Sequence, residues 1–229
     1  MSRLNLPYIQ IAGMRTFAEA EMMASLGVEY IGFPLALHFH EEDLPASDVR
    51  IFCAALCQRI KPVLITYLSE HNEIAELAEY IGAGAVQLHG ELPLLEVIRL
   101  RERRPELAII KSLVVENDNF EDLAIIAKQF GPYADAFITD TYDPETGARG
   151  ATGKTHDWEV SKKLVELAPK PVILAGGLNS KNVREAIATV HPAGVDAHTG
   201  VEDATGIKTP ELVSEFITRA REGFRMAGV

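Results

Sequence analysis

Pro171-Val172-Ile173-Leu174-Ala175-Gly176-Gly177-Leu178-Asn179 is a short apolar strand that runs straight into a glycine turn. Gly194-Val195-Asp196-Ala197-His198-Thr199-Gly200-Val201-Glu202 repeats the pattern further on. Glycine lets bare backbone N–H groups approach a ligand, and a helix N-terminus adds positive partial charge aimed at it. Asn179 stands where it could cap the helix that follows. Two such turns in succession near the end of an α/β chain point to one phosphate clamp. Upstream of them the same alternation continues. Periodicity predicts strands at residues 8–13, 28–33, 62–67, 85–89, 107–114, 136–139, 171–175 and 194–198. Helices are expected between them, at 16–26, 47–60, 70–81, 92–103, 120–130, 157–167, 180–190 and 210–222, with Thr209 placed to cap the last. Eight β-then-α units in 229 residues fit an α/β chain folded as one (β/α)8 TIM barrel, residues 1–229 forming a single domain. A doubly wound open sheet would carry a glycine fingerprint after its first strand, whereas the first βα turn here reads Ala12-Gly13-Met14-Arg15.

The chain is 47% hydrophobic and 24% charged, enough apolar material for a sizeable core. Its net charge of −11, with no compensating basic stretch, argues against a nucleic-acid partner. An anionic small molecule would need a local positive site made from backbone and a few cations. No run approaches the length of a membrane span and the first residues lack the apolar stretch of a secretory signal, so a cytoplasmic location with no membrane partner is expected. Cys53 and Cys57, spaced i, i+4 in an apolar helical stretch, read as buried free thiols. No exposed apolar stripe fixes the oligomeric state, and a monomer and a homodimer both fit.

In a (β/α)8 barrel the active site lies at the C-terminal ends of the strands, and phosphate often binds after the seventh and eighth. The two glycine turns fall there. Further segments stand in a telling order: Val86-Gln87-Leu88-His89-Gly90, Phe137-Ile138-Thr139-Asp140-Thr141, Ala151-Thr152-Gly153-Lys154-Thr155-His156-Asp157-Trp158, then the two turns. Together they resemble the phosphoribosylanthranilate isomerase family, from about Tyr8 to the last helix. That resemblance implies an Amadori rearrangement of a small phosphorylated ribosylamine, a step of tryptophan biosynthesis, with no metal and no organic cofactor. An acid protonates the furanose ring oxygen and a base removes the C2′ proton. The resemblance implies Asp140 as the acid, which burial in an apolar mouth would help to keep its proton. It further implies phosphate contacts from Gly176, Gly177, Thr199 and Gly200, assisted by Gly153, and sugar hydroxyls bonded to Asp196. Gln87 and His89 alternate to one side of the fourth strand and so point into the mouth. Lys111 matches a lysine of the family and reads as an electrostatic or structural group.

Three stretches depart from the family pattern. Its first strand ends in Lys-x-Cys-Gly-x-Thr, the cysteine being the base; here Gln10 and Ala12 replace the lysine and the cysteine. After the second strand its Ser-Pro-Arg segment supplies an arginine for the anthranilate carboxylate. This chain has Pro34-Leu35-Ala36-Leu37-His38-Phe39-His40 followed by Glu41, Glu42 and Asp43. In the eighth strand His198 replaces a serine. The expected site therefore keeps the phosphate clamp and the acid and changes the base and the carboxylate grip. His198 is the foremost replacement base, since imidazole titrates near neutrality. His38 and His40 form a His-x-His pair, but two ligands on one loop make a weak metal site, and solvated loop polarity is the preferred reading. Two other readings stand beside an isomerase: a same-fold lyase, aldolase or epimerase, and a non-catalytic phosphosugar-binding protein.

Overall fold

Short apolar strands that are buried on both faces must be covered by helices on the outside and by one another on the inside, and a closed parallel barrel does both. The computed structural model of the protein describes residues 3–37, 43–116, 119–141 and 158–228. Its elements are β1 (Tyr8–Ala12), α1 (Phe17–Ser25), β2 (Tyr30–Pro34), α2 (Ala46–Leu56), β3 (Lys61–Thr66), α3 (His71–Ile81), β4 (Ala85–Leu88) and α4 (Leu94–Arg103). The second half continues with β5 (Ala108–Val115), α5 (Phe120–Phe130), β6 (Ala136–Thr141), α6 (Trp158–Leu167), β7 (Val172–Leu174), α7 (Val183–Val190), β8 (Gly194–Ala197) and α8 (Pro210–Ala227). Each strand pairs in parallel with its sequence neighbour, and β8 closes on β1 with Gln10 opposite Asp196. The expected (β/α)8 barrel is the observed fold.

Strand alternation sorts the core into two shells. Tyr8, Tyr30, Val63, Ala85, Ile110, Ile138 and Ile173 point inward and fill the barrel, with Leu4 packed against them from below β1. Ile11, Ile31, Leu64, Val86, Ile109, Phe137 and Leu174 point outward against the helices. Near the C-terminal ends of the strands the inward positions turn polar: Gln10, Gln87 and Asp140 are all buried. That change of character marks the mouth.

Several boundaries differ from the sequence reading for local reasons. Helix α2 ends at Leu56, short of residue 60, which leaves Cys57 exposed; only Cys53 is a buried thiol, and burial pushes it up to about 12. Helix α7 begins at Val183, not at 180. Asn179 does not cap it: its Oδ1 accepts from the Lys181 N–H at 2.9 Å, while its own N–H donates to Asn182 Oδ1 at 2.8 Å. The residue folds the turn instead. Thr209 caps α8 as expected, its hydroxyl accepting from the Leu212 N–H at 3.3 Å. Among the described residues, no helix is long and apolar enough to cross a membrane.

Candidate active site

Two adjoining cavities open at the centre of the barrel mouth, apart from an outer one of about 610 Å³ between the ends of β4 and β5 and helix α5. The smaller, about 40 Å³, is lined by Ala175, Gly176, Gly177 and Leu178 after β7, by Ala197 to Gly200 after β8, and by Asp140 and Asp196. Gly176 and Gly177 hold φ values of +98° and +62°, a backbone shape that only glycine adopts without strain. Gly200 packs so closely on the Leu178 carbonyl that a Cβ there would collide with it. The two turns are thus locked together, and bare backbone forms the wall between them.

The larger cavity, about 290 Å³, shares Asp140, Ala175, Asp196, His198 and Thr199 with the recess and extends over Ala12, Gln87 and His89 to Arg15, Pro34, Leu37, Asp43, Ile65, Tyr67 and Glu202. Asp140 is the penultimate residue of β6 and is only 5% exposed. Its Oδ1 accepts from the Thr141 N–H at 2.9 Å. Its Oδ2 lies 3.1 Å from His89 Nδ1, yet the geometry is not that of a hydrogen bond, and both Oδ2 and His89 Nε2 stay buried with no hydrogen-bond partner. Buried polar atoms are nearly always satisfied, so an orphaned carboxylate oxygen at a cavity wall is one that a ligand completes.

Gln10 is the hub of the floor. Its amide donates to Gln87 Oε1 and to Asp196 Oδ1, each at 2.9 Å, and its oxygen accepts from the Tyr8 hydroxyl. The partner of Asp196 on β1 is thus a neutral amide. Burial pushes the Asp196 carboxyl up to about 7; the Gln10 amide opposes the rise, and the charge of Asp140 adds to it. Lys111 is on the outward side of β5, where its ammonium donates to the carbonyls of Leu88, Gly90 and Ser112 at 3.4, 3.1 and 3.2 Å. Desolvation lowers it to about 8, with Asp140 acting the other way. It lines neither cavity at the mouth and ties β4 to β5.

His198 follows β8 and packs over the first βα turn: a Cβ on Gly13 would run into its imidazole ring. The ring thereby stands beside Ala12, where the family pattern has its cysteine. His198 Nε2 lies 3.6 Å from Glu202 Oε1, and Glu202 is in turn held by the buried Lys208 ammonium at 2.8 Å. Gln87, His89, Asp140, Gly176, Gly177, Asp196, His198, Thr199 and Gly200 therefore all line one or both of these cavities. Gly153, His38 and His40 lie outside the described residues. Among the described residues, Glu70, His71 and Glu96 bring their ligand atoms within 4.8 Å of one another at the starts of α3 and α4. Glu96 is already engaged by the His71 N–H and ring at 3.0 and 2.6 Å and by Arg99 at 2.7 Å, so the group joins two helices. The sequence reading missed Arg15 and Glu202 as lining residues; both stand one or two turns past the strand ends that it had singled out.

A closed parallel barrel with a glycine-walled recess after β7 and β8 and a buried carboxyl group beside it is the (β/α)8 class of fold with its cavity at the strand ends. Residues 59–219 match the family described as N-(5'phosphoribosyl)anthranilate (PRA) isomerase. The N-(5'-phosphoribosyl)anthranilate isomerase 2 of Methanosarcina mazei is 36% identical over 217 residues, 94% of this chain and 95% of the relative. The phosphoribosyl anthranilate isomerase structure from Thermotoga maritima superposes with a TM-score of 0.78 at 28% identity, covering 93% of this chain and 98% of that one. A second isomerase structure, in complex with reduced 1-(o-carboxyphenylamino)-1-deoxyribulose 5-phosphate, gives 0.76 at 26% identity over the same shares. The chain belongs to the N-(5'-phosphoribosyl)anthranilate isomerase family.

Proposed function

We propose that this protein isomerises N-(5'-phosphoribosyl)anthranilate to 1-(o-carboxyphenylamino)-1-deoxyribulose 5-phosphate, in the tryptophan pathway of the cytoplasm. The observation that carries the reading is the shared border of the two cavities: Asp140, Asp196, His198 and Thr199 face both the recess and the larger chamber. A phosphate in the recess, held by backbone N–H groups around Gly176, Gly177, Thr199 and Gly200, sets the ribose against those side chains. Asp140 gives its proton to the ring oxygen, the C1′–O bond breaks, and an imine forms with the aromatic nitrogen. His198 takes the C2′ proton, and the resulting enolamine becomes the 2-ketone as a proton returns to C1′. No atom is gained or lost, so no oxidant and no co-substrate is required. Asp196, with Gln87 and His89, holds the sugar hydroxyls.

Glu202 faces the His198 ring and orients it, as an acidic partner steadies a catalytic imidazole elsewhere. Expression in a strain that lacks this isomerase and is grown without tryptophan tests the reading. Growth with the wild-type chain and none with Asp140→Asn is the expected result. Failure of the wild-type chain to support growth, though folded, would overturn it.

A further inference from the structure

We infer that Arg15 is the group that grips the carboxylate of the aromatic acid, so that the recognition of a benzoate-type substrate in this chain comes from the β1–α1 turn. The inference rests on the proposed reaction. Among the described residues lining the larger cavity, Arg15 is the one permanently cationic side chain, set against four carboxyl groups, Asp43, Asp140, Asp196 and Glu202. Of the charged side chains described around that chamber, Arg15 is the one that attracts a ligand carboxylate, while Asp43 and Glu202 oppose it. Among the described residues the recess at the other end is lined by no Lys or Arg, and its backbone suits the phosphate. With the phosphate there and the ribose at Asp140 and His198, the aromatic end extends toward the part of the chamber that the recess does not share. That part is apolar, with Pro34, Leu37, Ile65 and Tyr67, and Arg15 adds the charge.

The turn that carries Arg15 is held firmly. Thr16 caps α1 through a capping box with Glu19, and Glu19 Oε2 also accepts from the Arg15 N–H at 2.9 Å. Glu19 Oε1 takes the Lys208 N–H at 3.1 Å, which joins this turn to the loop after β8. The guanidinium itself is half in solvent and only loosely engaged. One nitrogen donates to the Thr205 carbonyl at 3.3 Å, and Asp43 stands 3.8 Å away, beyond hydrogen-bond reach. Burial raises the Asp43 carboxyl, with Lys208 and Arg15 opposing, so the ion pair is a weak competitor for a ligand carboxylate. A guanidinium has five N–H donors in a fixed fork, which leaves a pair for bidentate contact with a carboxylate.

The test compares two reduced ligands, reduced 1-(o-carboxyphenylamino)-1-deoxyribulose 5-phosphate and its phenylamino analogue without the carboxyl, by calorimetry with wild-type protein, Arg15→Gln and Arg15→Lys. Wild type is expected to prefer the carboxylated ligand by about 10- to 100-fold, the range of a charge-assisted contact. Arg15→Gln should bind both ligands alike, with the analogue's affinity within about threefold of wild type, and Arg15→Lys should regain part of the preference. In turnover, Arg15→Gln should raise KM far more than it lowers kcat. An Arg15→Gln protein that keeps the wild-type preference, or that loses both ligands equally, would sink the assignment of Arg15 and leave the reaction standing. A wild-type protein that binds neither ligand would overturn the reaction and the assignment together.

Discussion

The two halves of the barrel mouth are built from different material. After β7 and β8 the wall is backbone: Gly176 and Gly177 in left-handed conformations and Gly200 pressed on the Leu178 carbonyl. After β1 and β2 it is side chain: Arg15, Leu37, Asp43 and, leaning across from β8, His198 and Glu202. A backbone wall admits little variation, because any Cβ fills the space that the ligand or the neighbouring turn needs. A side-chain wall can exchange its groups while the strands beneath stay in register. The departures that the sequence resemblance implies, at Gln10, Ala12 and His198, all belong to the second half.

The comparison predicts where damage is greatest. Asp140→Asn removes the proton donor at the junction of the halves, and kcat should fall by about 10²–10⁴ while the reduced carboxyphenylamino ligand still binds. Equal loss of binding and turnover would make Asp140 a structural residue. His198→Gln tests whether the side-chain half supplies the base. A fall in kcat of about 10² with KM little changed is expected from steady-state assays, and wild-type turnover would place the base elsewhere. Gly200→Ala attacks the backbone half: the new methyl must push Leu178 aside, so KM should rise by at least about tenfold and stability should drop by roughly 1–3 kcal/mol. Calorimetry and thermal melts would report both, and an unchanged KM would separate this turn from phosphate binding.

The smallest effect concerns the floor. Because burial holds the Asp196 carboxyl at about 7, above its unfolded value, the folded state binds a proton that the unfolded chain releases earlier. Its contribution to stability is therefore complete at low pH and is lost as pH rises toward and through 7. Asp196→Asn should be more stable than wild type by roughly 1–2 kcal/mol near pH 8, with the advantage gone near pH 4, since the cavity leaves the carboxyl partly open to water. An advantage that grows toward acid pH would reverse the sign of the argument.

How much of this was legible in the sequence follows from the same division. The eight-fold alternation of apolar strand and amphipathic helix carried the fold, since its period is a physical requirement of burial. The glycine turns were legible because glycine is demanded by backbone shape, whereas Asp140 was singled out only through the family resemblance. What the sequence did not disclose depends on side-chain reach. Gln10 reads as the loss of a cation, but its role as hub for Tyr8, Gln87 and Asp196 appears only when β8 closes on β1. Asn179 has the right type for a helix cap and instead folds its own turn. Arg15 looks like an unremarkable loop residue until the barrel brings four carboxyl groups around it.

The central claim is that a preserved clamp and acid still drive the isomerisation although the opposite wall has changed. Purified protein incubated with N-(5'-phosphoribosyl)anthranilate, with the products separated and identified by mass and chromatography, tests it most directly. The account predicts conversion to 1-(o-carboxyphenylamino)-1-deoxyribulose 5-phosphate, slowed at least about a hundredfold by Asp140→Asn. Folded wild-type protein that yields no such product, or an Asp140→Asn protein that yields it at the wild-type rate, would contradict it.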